Sequence, residues 1–323
     1  MLIALKRDAN PETVEATLRG RGLWTRRLEG SAGAPALSIE QGSAGISATD
    51  LAGIEGVAEV FTAPSAHPRV DAQAGSRPFD AGPVLLAGPC AVEDEAQIHQ
   101  AARCAARAGA RYLRGGAFKP RSSPYAFSGR GELALSWLAD AARENNLLVV
   151  TEAMSEAQVE RVAKVADLLQ VGSRNMANFA LLHAMGRTKK PVLLKRGMSA
   201  TIEEWLLAGE HLMNAGAKSV IFCERGVTGF DAHTRNLLDL GAVALLKHHY
   251  HLPVIVDPSH AVGRRDLIPP LAHAAMAAGA DGLLVEMHPK PARALSDGPQ
   301  ALTPEQLTHL AQEMGLLATE AAP

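Results

Sequence analysis

Apolar residues along the chain follow two rhythms, and the change comes near residue 80. Up to Phe61, short apolar runs (LIALK, LWTRRLEG, PALSIEQ, VAEVFTA) are interleaved with helix-like segments (ETVEATLRGRG, ATDLAGIEG). Gly and Pro mark the turns, and the order reads βαββαβ. From Gly82 onward a run of mostly apolar residues, a polar turn and an amphipathic stretch of helical length recur as a unit. Eight apolar runs can be read: VLLAG, YLRGG, LLVVTE, LLQVG, VLLKRG, SVIFCE, PVIVDP and GLLVE. Helical segments follow each, among them AQIHQAARCAARAG, TIEEWLLAGEHLMNAG and NLLDLGAVALLKHH, and several run directly into Gly, a common helix stop.

Strands buried on both faces read as continuous apolar runs, and eight of them alternating with helices predict an α/β fold, a (β/α)8 TIM barrel, typically about 250 residues long. An open doubly wound sheet is the competing architecture; the count of eight favours the barrel. Between the two rhythms, TAPSAHPRVDAQAGSRPFD lacks periodicity and reads as a connection. The expected organisation is a small α+β domain over 1–65, a linker over 66–80 and the barrel over 81–318.

Composition narrows the function class. Hydrophobic residues make up 47% of the 323 positions and the net charge is −2, with 32 Lys and Arg against 34 Asp and Glu, so no basic stripe points to nucleic acid. No uninterrupted apolar run approaches the roughly 20 residues of a membrane span, and the opening MLIALKRD lacks the order of a signal peptide. Three widely spaced cysteines, Cys90, Cys104 and Cys223, argue against a disulfide scaffold and for a reducing, cytoplasmic setting.

Nearly every apolar run ends in a residue that a barrel interior would not choose: Cys90, Arg114, Glu152, Arg174, Lys195, Glu224 with Arg225, Asp257 with His260, and Glu286 with His288. In a barrel these carboxyl ends form one rim, where active sites of the fold are built. Arg114, Lys119, Arg121, Arg174, Lys195 and Arg225 would then converge in a chain of almost no net charge, which calls for anionic, phosphorylated substrates. Cys90, His260, Glu286 and Asp297 come from the first, seventh and eighth units, which a closed barrel makes neighbours. A thiolate, an imidazole and two carboxylates suit one borderline divalent ion such as Mn, Fe, Co or Zn, although spacing alone fits a buried Cys, a structural His and surface acids equally well. The HHYH run at 248–251 falls at the end of the sixth helix, away from the rim, and reads as solvated; Cys104 and Cys223 read as core.

These residues sit in recognisable text. AGPCAVED (87–94), RGGAFKPRSSPYAFSGRG (114–131), QVGSRNM (170–176), VLLKRGM (192–198), CERG (223–226), VDPSHAVGRR (256–265) and VEMHPKPARALSDGPQ (285–300) together resemble the 3-deoxy-D-arabino-heptulosonate 7-phosphate (DAHP) synthase family, in order along the whole barrel. The likeness is nearest to the subgroup whose barrel also resembles 3-deoxy-D-manno-octulosonate 8-phosphate (KDO8P) synthase. It implies condensation of phosphoenolpyruvate with D-erythrose 4-phosphate, the first step of the shikimate pathway. It implies metal ligation by Cys90, His260, Glu286 and Asp297, and phosphoenolpyruvate binding by Arg114, Lys119, Arg174, Lys195 and Arg225. Erythrose 4-phosphate falls to Lys119, Pro120, Arg121, Ser122 and Asp297, with Ser122 where many relatives carry Thr. Lys195, Glu152 and His260 are the expected catalytic residues, and Asp257 and His288 the expected partners that orient ligands.

The βαββαβ pattern at the start resembles the ferredoxin-like domain that precedes the barrel in some DAHP synthases, which implies feedback control by an aromatic amino acid bound there, and the family likeness implies a homotetramer. An oligomerisation or solubility role is the alternative for this domain. For the whole chain the alternative is KDO8P synthase, which acts on arabinose 5-phosphate; KPRSS, with Pro120 directly before Arg121 and no Asn, favours the four-carbon sugar. A Schiff-base aldolase using Lys195 and a non-catalytic sugar phosphate sensor are the remaining readings.

Overall fold

In the first strand, β1 (Leu2–Leu5), Ile3 and Leu5 are buried while Leu2 faces out, the period-2 signature of a sheet covered on one side. The computed structural model describes residues 1–29, 35–40, 42–79, 82–119, 123, 125 and 127–317, and the chain divides into two units, Met1–Ala66 and His67–Pro323. The first unit continues with α1 (Pro11–Gly20), β2 (Thr25–Glu29), β3 (Pro35–Ile39), α2 (Ala48–Ala52) and β4 (Val57–Phe61). Its antiparallel sheet runs β2-β3-β1-β4, the ferredoxin-like order. Asn10 caps α1 by accepting the Glu12 N–H at 2.9 Å, and Pro11 supplies a preset first turn. Val14 and Leu18, one turn apart, then meet Ile3, Leu37 and Leu51 in a single core.

The second unit opens with α3 (Pro68–Asp71), inside the stretch 66–80 that was expected to be a linker. The correction has a physical cause. Val70 is fully buried, the Glu210 carboxylate accepts the N–H groups of Arg69 and Val70 at 2.9 Å each, and Gln73 Oε1 accepts the Val220 N–H at 2.8 Å. Phe79 enters the barrel interior and meets Tyr112 edge to face at 6.3 Å. Polar and Pro-rich text therefore hides a stopper at the amino-terminal end of the barrel.

The barrel follows as β5 (Val84–Gly88), α4 (Glu95–Arg107), β6 (Tyr112–Arg114), α5 (Glu132–Glu144), β7 (Leu148–Glu152), α6 (Glu156–Val165), β8 (Leu168–Val171), α7 (Phe179–Arg187), β9 (Pro191–Lys195), α8 (Ile202–Asn214), β10 (Ser219–Glu224), α9 (Leu240–Ala244), β11 (Val254–Val256), α10 (Pro258–Val262), α11 (Ile268–Ala277), β12 (Gly282–Glu286) and α12 (Pro304–Glu313). The eight strands β5–β12 are parallel and closed, with β12 beside β5. The expected sixth helix, NLLDLGAVALLKHH, is shorter: Leu237 pairs with Val227, Asp239 caps α9 at Ala242, and Leu245–His249 continues as a π-helical turn.

Strand parity decides what faces the inside. Val84, Leu86, Val150, Leu168, Leu193, Ile221, Ile255 and Leu284 fill the interior, and Leu85, Val149, Leu169, Val192, Val220, Val254 and Leu283 pack under the helices. Two positions beyond the interior residues Tyr112, Val150, Leu168, Leu193, Cys223, Ile255 and Leu284, the same parity delivers Arg114, Glu152, Gln170, Lys195, Arg225, Asp257 and Glu286 to the carboxyl-terminal rim. Among the described residues no helix is long and apolar enough to cross a membrane.

Candidate active site

The rim encloses a cavity of about 300 Å³ lined by Arg114, Lys119, Arg174, Lys195, Arg225 and Arg235, together with Glu152, His260 and Asp297. Five of these cations were expected from the sequence. The sixth expected cation, Arg121, lies with Pro120 and Ser122 outside the described residues. Arg235 was missed. It sits in the long connection between β10 and α9, which folds back through the Val227–Leu237 pairing, and Arg235 Nη1 comes within 3.5 Å of Asp297 Oδ1. The signal that could have found it is the length of that connection, since long loops of this fold are usually functional.

Parity also separates neighbours. Arg225 lines the cavity, whereas Glu224 points the other way, fully buried, and accepts Arg196 Nη1 at 3.1 Å and the Gly226 N–H at 2.7 Å. Arg196 also meets Asp239 at 2.8 Å and lies over the Trp205 ring, 5.6 Å from its centroid. Glu224 and Arg196 therefore brace the loop that carries Arg225 and Arg235.

Cys90, His260, Glu286 and Asp297 each offer one ligand atom, and these atoms all lie within 4.8 Å of one another. Cys90 follows Gly88, where a side chain would strike the Arg114 carbonyl at 2.1 Å, so the chain can pass close beside β6 only with glycine there. His260 stands in α10, whose cap is Asp257: Oδ1 accepts the His260 backbone N–H at 2.9 Å and Oδ2 the ring Nδ1–H at 2.7 Å. Glu286 ends β12, accepting Arg114 Nη1 at 2.8 Å on Oε1 and Gln300 Nε2 at 2.5 Å on Oε2. Asp297 is held with φ +54, in the left-handed region, and accepts from Cys90 Sγ at 2.8 Å and Ser296 Oγ at 3.0 Å.

Charge and burial shape this group. Burial and then Glu286 push the Cys90 thiol up to about 12, against Lys119 and Arg114, so the sulfur keeps its proton at neutral pH. Burial would raise the Glu286 carboxyl, but His260 and Arg114 outweigh it and hold it below the usual range. Burial would likewise raise Asp257, and His260 and Lys195 hold it well below. Burial lowers His260 despite Asp257 and Glu286. With Nδ1–H given to Asp257, the Nε2 lone pair faces Glu286 Oε1 at 3.2 Å. Two electron-pair donors at that distance repel unless a cation joins them, and the thiol and second carboxylate complete a donor set that fits a borderline divalent ion.

Glu152 accepts Gln170 Nε2 at 3.2 Å on Oε2, while its Oε1 is buried with no hydrogen-bond partner among the described residues. A side chain on Gly172 would meet that oxygen at 2.1 Å. Lys195 Nζ donates to Asp257 Oδ2 at 2.5 Å, which ties the lysine to the same carboxylate that orients His260. His288 is buried near Glu93 rather than beside the candidate ligands. The HHYH run makes surface contacts, with His248 Nε2 3.1 Å from the Ala278 carbonyl and His249 edge-on to Tyr250. Cys104 and Cys223 are buried in the apolar cores.

Residues 70–321 match the DAHP synthetase I family. A phospho-2-dehydro-3-deoxyheptonate aldolase of Thermotoga maritima is 50% identical over 234 residues, 72% of this chain and 69% of that protein. A 2-dehydro-3-deoxyphosphooctonate aldolase of Acidithiobacillus ferrooxidans is 33% identical over 237 residues, 67% of this chain and 83% of that protein. The crystal structure of the Thermotoga maritima DAHP synthase superposes with a TM-score of 0.75 at 38% identity, covering 97% of this chain and 96% of that one. A truncated form of the Thermotoga maritima synthase gives a TM-score of 0.68 at 45% identity over 73% of this chain and 86% of that one. Closed barrel, ferredoxin-like sheet and matched sequence agree, and the chain belongs to the DAHP synthetase I family.

Proposed function

We propose that this protein is a DAHP synthase, a transferase that joins phosphoenolpyruvate to D-erythrose 4-phosphate with release of phosphate, the entry to aromatic amino acid biosynthesis. The observation that carries this reading is one cavity in which Arg114, Lys119, Arg174, Lys195 and Arg225 stand beside the Cys90–His260–Glu286–Asp297 set. The greater identity to a heptonate than to an octonate aldolase supports the four-carbon sugar over arabinose 5-phosphate.

Phosphoenolpyruvate brings a phosphate and a carboxylate, which Arg114, Lys119, Arg174 and Arg225 hold so that its C3 faces the sugar aldehyde. A divalent ion held by Cys90, His260, Glu286 and Asp297 would draw electron density from the aldehyde oxygen and make its carbon electrophilic. As the bond forms between C3 and the aldehyde carbon, Lys195 supplies the proton that turns the aldehyde oxygen into a hydroxyl. Carbon C2 becomes electron-poor and takes up water, whose proton passes to the unpartnered Oε1 of Glu152. The C2–O bond to phosphate then breaks as the C2 hydroxyl becomes the ketone, its proton leaving with the phosphate, whose charge Arg174 and Arg225 balance. Lys119, Pro120, Arg121 and Ser122 receive the phosphate of the sugar, with Asp297 at the aldehyde end.

Assay of both aldoses tests the reading: turnover with erythrose 4-phosphate is expected, and preference for arabinose 5-phosphate would replace it with KDO8P synthase. Exhaustive chelation is expected to abolish turnover and added Mn, Fe, Co or Zn to restore it. Full activity after chelation would remove the metal from the mechanism. The ferredoxin-like unit is read as the seat of feedback by tyrosine or phenylalanine in a cytoplasmic homotetramer. Loss of that inhibition on deletion of residues 1–66 is the expected result, and inhibition that survives would remove the regulatory role.

A further inference from the structure

We infer that Glu93 is a positioning residue that sets the location of Asp297, and thereby the closure of the candidate metal centre. The inference rests on the metal reading above and adds a residue that touches neither substrate nor ion. Glu93 lies three residues beyond Cys90 and is 7% exposed. Its carboxylate leaves its own loop: Oε1 accepts the Leu295 N–H at 2.7 Å, two residues before Asp297. Oε2 lies 3.6 Å from Nε2 of His288, which is two residues beyond Glu286. His288 Nδ1 accepts the Lys290 N–H at 2.9 Å, so the ring proton sits on Nε2, a buried N–H with no hydrogen-bond partner among the described residues and with Glu93 as its facing charge. One carboxylate thus joins the loop of Cys90 to the loop that runs from Glu286 to Asp297.

The clamp is anchored on its own side. The Glu93 carbonyl accepts Arg130 Nε at 3.1 Å, and Gln97 Oε1 accepts the Glu93 N–H at 3.4 Å while its amide donates to the Ala91 carbonyl at 3.1 Å. Asp297 is the candidate ligand that most needs such support. Glu286 ends β12, Cys90 lies two residues past β5 and His260 stands in α10, whereas Asp297 stands on a connection and holds a left-handed backbone, φ +54, that a residue with a side chain adopts at a cost. Cys90, Ser296 and Arg235 meet its side chain, the N–H groups of Gln300 and Ala301 hold its carbonyl from the following turn at 3.2 and 3.3 Å, and Glu93 holds the backbone on the preceding side, at Leu295. Without the Glu93 tether Asp297 is held only from the following turn, and the freed side from Leu295 can let φ relax and carry the carboxylate away from the other three groups.

The test is Co(II) titration of the full-length protein, read by the ligand-field bands and by the thiolate-to-cobalt charge-transfer band. Glu93→Ala is expected to weaken Co(II) binding by about 10–100-fold, in the range seen for partners of metal ligands, while keeping the charge-transfer band from Cys90. Glu93→Gln keeps an acceptor for Leu295 N–H in the same volume and is expected to fall between Glu93→Ala and the parent. In an Asp297→Ala background the Glu93→Ala change is expected to have no further effect on affinity, because the group it positions is gone. Parent-like affinity in both Glu93 variants would overturn the clamp alone, as would an equal loss with and without Asp297, which would mark general damage. Absence of the charge-transfer band in the unsubstituted protein would overturn the metal centre and the clamp together.

Discussion

The two ends of the barrel are made from the same strands, yet they obey opposite rules. At the amino-terminal end Val84, Tyr112 and Leu168 form an apolar layer that Phe79 covers. At the carboxyl-terminal end, two positions further along the same inward register, Arg114, Lys195, Asp257 and Glu286 are each 5% exposed or less. Buried charges survive there because they answer one another, Arg114 with Glu286 and Lys195 with Asp257. Groups arranged in this way contribute little net stability, and they are held ready for charges that arrive from outside. Stability and chemistry are thus separated along the barrel axis by a single turn of the pleat.

The contrast can be broken most sharply at the rim. Cys90→Ala should lower turnover below detection and abolish tight Co(II) binding, while the thermal midpoint of the metal-free protein stays near that of the parent; a large loss of metal-free stability would show that the rim also supports the fold. At the other end Leu168→Ala should cost about 2–5 kcal/mol in denaturant unfolding, as cavity-forming changes do, with kcat/KM per folded molecule unchanged. A fall in both quantities would mean that the ends are coupled.

The pH profile sharpens the same comparison. The free site holds Cys90 as a thiol, pushed up to about 12, and the bound site needs a thiolate, so binding releases a proton and raising the pH favours the bound form. Between about pH 6 and 8 metal affinity should rise about tenfold per unit, as expected for one released proton. A flat profile would show that sulfur is not a ligand. A smaller effect is expected from Arg235→Gln, where a half-exposed cation at the mouth is removed: kcat/KM should drop by about tenfold or less, and by nothing at all if Arg235 serves only the loop. The smallest effect belongs to the ferredoxin-like unit. Arg27 hydrogen-bonds Glu15 at 2.6 Å on the surface and holds its carboxyl below the usual range, an interaction present above that range and lost as pH falls through it. Screening by water makes it weak, so Arg27→Met should leave the melting curve unchanged at neutral pH.

The barrel was legible because strands covered on both faces write themselves as unbroken apolar runs, and charges at their ends stand out against them. Parity then explains why Arg225 reaches the cavity and its neighbour Glu224 does not, although both end the same strand. What periodicity does not carry is how irregular chain folds back. Arg235 reaches the rim through a fifteen-residue connection that pairs with itself, and Glu93 reaches Leu295 across two loops, contacts fixed by closure of the barrel rather than by local pattern. The segment 66–80 was misread for a related reason. Its few apolar residues are too sparse to show a period, yet Val70 and Phe79 are placed by the surfaces they cover.

That stopper has a bearing on how such proteins are assembled from parts. The segment from His67 to Phe79 belongs to the barrel unit and delivers Phe79 to its interior, so the seam between the two units falls at Ala66. A barrel that carries its own plug can be joined to a different N-terminal partner, or released from one, without opening its interior to water. A cut at residue 81 would instead draw the cork, exposing Tyr112 and Leu168 and leaving the Val220 N–H without Gln73. Modularity in this chain is written in thirteen residues that look like spacer and serve as a lid on the core.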